Sequence, residues 1–237
     1  MIKIENTEVF GWEAAIRGMR NPMNSWDKSD SAWGEVICDV DEELPDYPEY
    51  EFNIGENDLK LMRNLAKAGS DHAKYLRMIN VTFDCNAPLY WWKEADTYTV
   101  GLVKNSCSTM HKIHAKEFTL DDFSHEHLIN DWIDDNVECF VFGEYGELYS
   151  PVDVLEFTIK SLNINREAYL KTKDKKYWWQ IIQLLPSSYN QKRTVQLNYA
   201  VLANMYHARK HHKLDEWRTF CEWIETLPYF KEVLLDE

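Results

Sequence analysis

Residues 75–92 read YLRMINVTFDCNAPLYWW. Val81, Thr82 and Phe83 are β-branched and aromatic residues of the kind that fit a pleated strand, so residues 75–86 are read as a β-strand. Pro88 then punctuates the chain, and residues 89–100 (LYWWKEADTYTV) can open a helix that packs Trp91 and Trp92. The ordinary role for Trp91, Trp92, Trp178 and Trp179 is core packing. The alternative is that one pair stacks on a flat ring.

Upstream, residues 56–69 (ENDLKLMRNLAKAG) put Leu59, Met62, Leu65 and Ala66 on one helical face, with Gly69 as a natural stop. Residues 1–10 alternate apolar and polar side chains, as an opening strand does. Arg17 to Ser31 mixes Arg17, Arg20 and Lys28 with Asn, Ser and Pro, and reads as a loop. Residues 35–58 carry ten carboxylates and no Lys or Arg, and the embedded LPDYPEYEF reads as extended.

Downstream, Thr119 is a candidate N-cap for residues 119–124, with acidic residues in the first turn. Residues 151–170 read as helix with Pro151 in the first turn. The basic KTKDKK at 171–176 reads as a solvated connection. Residues 176–185 and 193–224 give two further helical patterns, the second long and amphipathic. No repeat and no clear linker interrupts residues 1–237, so a single domain is expected.

Composition bounds the function. The chain has 237 residues, with 26 basic against 40 acidic residues and a net charge of −14. General nucleic-acid binding rests on Lys and Arg contacts to phosphate, so it is not expected. No apolar run approaches the ~18 residues of a membrane span, and MIKIENTEVF lacks a signal-peptide layout, so a cytoplasmic protein is expected. Five scattered cysteines form no C-x-x-C pair, which argues against a disulfide framework or zinc ribbon. His207 and His211 stand at i, i+4, but Ala208, Arg209 and Lys210 lie between them where a metalloprotease helix needs H-E-x-x-H, so no metal is expected. Cys107 with His111 could pair as a nucleophile and base, but a small buried cysteine is the commoner reading. GxGxxG and GxxxxGK[ST] are both absent, which argues against a Rossmann domain or P-loop. Within this acidic chain, Lys192, Arg193, His207, Arg209, Lys210, His211, His212, Lys213 and Arg218 form a basic island, either an anion pocket or a solvated helix face.

The order of these segments resembles the flavin-dependent thymidylate synthases, from about residue 56 to residue 225. In that family a helix ending in K-x-G precedes F-x-H-x-x-F-x-F-x-x-x-A-P. Phe83, Ala87 and Pro88 match, and Met78 stands at the flavin-contacting His. The motif R-Q-x-x-R-H-R-x-x-S-x-N-E-x-S-x-R-Y follows. Here Lys93 and Glu94 open it, and Thr97, Tyr98 and Thr99 replace R-H-R. After a stretch one residue longer, Asn105 and Ser108 match, while Ser106, Met110 and His111 replace Glu, Arg and Tyr. Near the C-terminus the family carries L-x-x-N-x-Y-T-x-x-x-x-x-x-N-x-R-x-L-x-x-F-L-x-L-R. In QLNYAVLANMYHARKHHKLDEWR, Asn198 and Tyr199 lie close to its first part. Arg209 and Arg218 repeat the spacing of its two arginines, with His207 in place of the Asn.

The resemblance implies an α+β fold with a central antiparallel sheet flanked by helices, and a homotetramer. It implies a pyrimidine deoxynucleotide ligand such as dUMP, held by Arg218, Arg209, Asn105 and Ser108. It implies FAD, met by Lys93, His207 and Asn198, with NADPH and methylenetetrahydrofolate as further reactants. It identifies no residue for the proton chemistry. Loss of two R-H-R arginines removes two charge-assisted contacts of about 1.5–3 kcal/mol each, more than a hundredfold in affinity unless replaced. Arg17, Arg20 and Lys28 are candidate replacements. Three readings stand: a divergent enzyme acting on a deoxyuridylate, a non-catalytic nucleotide- or partner-binding descendant, or an architectural likeness with an interaction surface.

Overall fold

A computed structural model describes residues 1–35, 50–130 and 141–235. A four-stranded sheet has the order β1-β4-β8-β5, with β1 Lys3–Phe10, β4 Asn80–Pro88, β8 Asn190–Asn198 and β5 Val103–Ser106. Backbone bonds bracket the β4–β8 pair. Tyr199 N–H donates to the Ile79 carbonyl and Leu89 N–H to the Tyr189 carbonyl, each at 3.0 Å. One residue number falls as its partner's rises, which is the antiparallel signature. This is the antiparallel sheet flanked by helices that the resemblance implied.

Along β4 the side chains alternate strictly. Val81, Phe83, Cys85 and Ala87 are buried, while Asn80, Thr82, Asp84 and Asn86 are half-buried. The strand starts five residues later than expected. Tyr75 and Leu76 are consecutive and both buried, which one face of a strand cannot provide, and Ala73–Arg77 forms a 3-10 turn instead.

Two further expectations are corrected. Residues 17–20 are helix, not loop, because Trp12, Ala15, Ile16 and Met19 form a buried stripe on α1 (Trp12–Arg20). The N-terminal region is therefore strand, helix and short 3-10 turns rather than strand and loop alone. The pattern at 193–224 is not one helix but the end of β8, then α6 (Tyr199–Arg209) and α7 (Asp215–Glu225). Asn198 makes the first break, since its side chain caps α6 by accepting from Val201 N–H at 3.1 Å. Elsewhere the expected elements form: α2 (Glu56–Lys67), α3 (Leu89–Ala95), α4 (Pro151–Thr172) and α5 (Lys175–Leu184), although α3 is only two turns long. Thr119 caps a single 3-10 turn with a capping box. β2 (Ala32–Glu35) pairs antiparallel with β3 (Tyr50–Asn53), and β6 (Val141–Phe142) with β7 (Leu148–Tyr149); residues 36–49, most of the acidic stretch, lie outside the described residues.

The chain divides into two compact units. The first holds Met1–Ile4, Asp84–Tyr98 and Lys104–Thr194. Its core joins Ile113, Phe118 and Phe123 to Leu155, Ile159 and Leu162 of α4 and Ile181 of α5. Trp91 and Trp92 are buried, edge to face at 4.8 Å, as core residues should be. Trp179 departs from that expectation, being 43% exposed, while Trp178 is half-buried.

The second unit holds Glu5–Phe83, Thr99–Val103 and Val195–Glu237. Trp12 of α1 meets Tyr199 edge-on at 5.3 Å, and Tyr199 donates its hydroxyl to the Pro228 carbonyl at 2.7 Å. Phe83 of β4 packs against Phe220 and Trp223 of α7.

Candidate functional site

In the second unit, the end of α6, the turn after it and the start of α7 carry the later part of the basic island, His207 to Arg218, while Lys192 and Arg193 lie on β8 in the first unit. Arg209 ends α6 with its guanidinium 4.8 Å above the ring of Trp217, which is fully buried. A guanidinium over an indole face is a cation–π contact, and it sets the plane of the Arg209 fork. His212 closes the turn. Its N–H donates to the Arg209 carbonyl at 2.9 Å, and its Nδ1 accepts from Leu214 N–H at 3.2 Å. Arg218 begins on the same turn, but its fork is engaged. One Nη pairs with Asp215, and the other reaches the His212 carbonyl at 3.4 Å.

Thus the structure brings Arg209 and Arg218 to one turn around Trp217. It does not bring Asn198 there, because α6 separates the two by its length, about 16 Å. His207 is exposed beside the Tyr206 ring, and Tyr206 donates its hydroxyl to Glu225 at 2.7 Å. That bond, with Lys231 at 3.2 Å, holds the Glu225 carboxyl below its usual range despite partial burial.

In the first unit, Lys93, Asn105 and Ser108 are all exposed. Ser108 Oγ accepts from the N–H groups of Met110 (3.2 Å) and His111 (3.0 Å), which fixes the turn after β5. Cys107 is exposed, not buried, at this turn.

A network that spacing does not reveal lies beside these three. Arg193 stacks on Trp92 at 4.2 Å, donates Nε to Gln191 at 3.0 Å, and donates Nη1 to Asp96 at 2.8 Å. Lys104 donates to the same Asp96 oxygen and to the Ala95 carbonyl, both at 2.7 Å. Burial alone would push the Asp96 carboxyl up, but the bonds from Lys104 and Arg193 outweigh it and hold it low. Asp96 and Arg193 lie almost a hundred residues apart in the chain, and no motif links them.

The proposed replacement charges divide. Arg20 is buried and given to Asp58 at 2.6 Å, so it is structural and cannot meet a ligand. Arg17 is exposed and lines a cleft of about 960 Å3 whose walls include Trp12, Trp33, Phe52 and Trp223.

No protein-family model matches the sequence, and no curated protein matches it. Solved structures do match. The flavin-dependent thymidylate synthase ThyX from Helicobacter pylori, complexed with FAD and dUMP, is 14% identical with a TM-score of 0.63, over 99% of this chain and 98% of that one. The UMP/dUMP methylase PolB from Streptomyces cacaoi, bound with 5-Br UMP, is 15% identical with a TM-score of 0.54, over 97% of this chain and 89% of that one. The chain therefore has the fold of the flavin-dependent thymidylate synthases over nearly its whole length.

Proposed function

We propose that the chain binds a pyrimidine deoxynucleotide of the dUMP kind, with Arg209 as the principal anchor. The observation that carries this is the register of α6. If Asn198 is the Asn of N-x-R-x-L-x-x-F-L-x-L-R, three of its four apolar positions fall on Leu202, Met205 and Tyr206, all buried on α6, and the fourth on the exposed Ala208. The closing arginine is then Arg209. The register that uses Arg209 and Arg218 as its pair runs across the turn at 210–214, where no continuous apolar stripe exists. Arg209 also has its fork oriented by Trp217. The neighbours were solved with dUMP and with a UMP analogue, which supports a pyrimidine nucleotide as the ligand class.

FAD is the cofactor of the ThyX neighbour. Here Lys93 and His207 are exposed donors, and Asn198 keeps its amide N–H groups after its oxygen has capped α6. His207 and Asn198, both on the second unit, are the residues that would hold it. When bound, it would supply the redox chemistry of one-carbon transfer, with NADPH and methylenetetrahydrofolate as reactants. A second reading, binding without catalysis, is favoured by one feature. Thr97, Tyr98 and Thr99 stand at R-H-R, and the Thr97 hydroxyl donates to the Glu94 carbonyl at 2.7 Å. Both readings take residues 1–237 as one functional domain in a cytoplasmic homotetramer.

Calorimetric titration with dUMP tests the anchor. Arg209→Ala should lose about 10- to 100-fold in affinity, the worth of one charge-assisted contact, and Arg218→Ala less than about threefold. No dUMP binding, or a larger loss at Arg218, would overturn the proposal. The visible spectrum after incubation with FAD and desalting separates the two readings: a retained flavin band supports catalysis, and a colourless protein that still binds dUMP supports binding alone.

A further inference from the structure

We propose that Lys112, His114, Arg166 and Lys173 form a binding site for a phosphate-type dianion on the first unit. Arg166 of α4 donates Nε to the His114 carbonyl at 3.0 Å, which docks the loop after β5 on the helix and leaves the two Nη groups of the fork available. The His114 ring meets Tyr169 edge-on at 4.9 Å, and Lys173 Nζ lies 5.9 Å from that Tyr169 ring. Lys112 stands two residues before His114 on the same loop.

Among the described residues, no ion pair engages Lys112, Arg166 or Lys173. The neighbouring cations show the contrast. Lys116 pairs with Asp122 at 2.7 Å, and Lys176 pairs with Asp174 at 3.2 Å. Three converging cations without a carboxylate repel one another, and this chain has acidic residues in excess from which to supply one. The α4 macrodipole accounts for a cation at Lys173, just past the last turn. It does not account for Arg166, which sits well inside the helix, or for Lys112, which is not on it.

His114 fits the same picture. Burial, then Lys173, Lys112 and Arg166, push its pKa below the ordinary value, so the ring is neutral at pH 7. Its Nδ1 is buried without a hydrogen-bond partner among the described residues. The half-buried ring therefore favours its proton on Nε2, where it is a donor for an anion oxygen. Ammonium, guanidinium and imidazole N–H donors together suit the oxygens of a phosphate. That phosphate is either the nucleotide's own or a free ion.

Titration of the full chain with inorganic phosphate, dUMP and deoxyuridine tests the site. Lys112→Ala/Lys173→Ala removes two exposed side chains, and an unchanged melting curve confirms its folding. Lys171→Ala, exposed on the same turn, is the control. The double variant should lose about a hundredfold in phosphate affinity, and the control should not change. If dUMP binding falls in parallel and phosphate competes with it, the dianion is the nucleotide's. If phosphate binding falls while dUMP binds equally well or not at all, the site takes a free ion and stands apart from the nucleotide reading. Phosphate affinity unchanged in the double variant, or no phosphate binding by the unaltered chain, would overturn the inference.

Discussion

Replacing Asp58 with Ala should be among the most damaging single changes in the second unit. The Asp58 carboxylate is fully buried and accepts five hydrogen bonds: from Arg20 Nε (2.6 Å), the hydroxyls of Ser29 and Ser31 (2.7 Å each), and the N–H groups of Asp30 and Ser31 (3.2 Å each). Arg20 is nearly as buried and adds a bond to the Ser25 carbonyl at 3.1 Å. Removing the carboxylate leaves a guanidinium in the interior without its counter-charge. Breaking one partner of such a pair costs about 3–5 kcal/mol, or roughly 6–20 °C in Tm for a chain of this size.

The charge also sets a pH dependence. Burial alone would raise the Asp58 pKa, but Ser29, Ser31 and Arg20 outweigh it, and the folded carboxyl titrates below its ordinary 3.8. A depressed carboxylate contributes its stability fully above the unfolded pKa and loses it as pH falls through the folded one. Urea unfolding followed by circular dichroism should therefore show the largest gap between Asp58→Ala and the unaltered chain near pH 7, shrinking below pH 4. Arg20→Met/Asp58→Leu, which removes both charges, should recover much of the loss. A cost under about 1 kcal/mol for Asp58→Ala, or a gap that widens in acid, would refute the reasoning.

Gly11→Ala should cost about 3 kcal/mol or more in the same assay. The position has φ +97°, and an added Cβ would stand 2.1 Å from the Met78 carbonyl oxygen, a backbone atom that cannot step aside. Alkylation mapped by mass spectrometry should label Cys107 well before Cys85 and Cys221. Cys107 is exposed, whereas burial pushes the Cys85 thiol far up and raises Cys221 to about 11. Faster labelling at Cys85 or Cys221 would contradict the packing of β4 or α7.

Local chemistry marked most elements in the sequence. Leu59 and Met62 announced α2, Pro151 announced α4, and the residues around Phe83 announced β4. What misled was the short range of such signals. Arg17 and Arg20 sit among Asn, Ser and Pro, and only the buried stripe that starts at Trp12 shows that they end a helix. Residues 193–198 read as helix until Asn198 is seen to cap one. Alternation of Val195 and Leu197 spans too few residues to compete with the apolar run beyond it. At the candidate site, Arg209 was visible as a member of the basic island. Its partner Trp217 was not, because a turn without a signature motif brings them together. The Arg193–Asp96–Lys104 network and the cations around His114 arise from pairings across the sheet and onto α4, which no local window contains.

The sheet order has a consequence for how the chain is made. Strand β4 sits between β1 and β8, yet β8 follows it by about 100 residues of synthesis. At ribosomal rates of about 5–20 residues per second, β4 waits roughly 5–20 s with one edge unpaired. During that interval Val81 and Phe83 cannot complete their core, and the open edge can recruit any other extended segment. Non-local pairing of this kind folds slowly. Recovery of soluble protein should therefore respond more to growth temperature and to chaperone supply than the stability of the finished molecule would suggest.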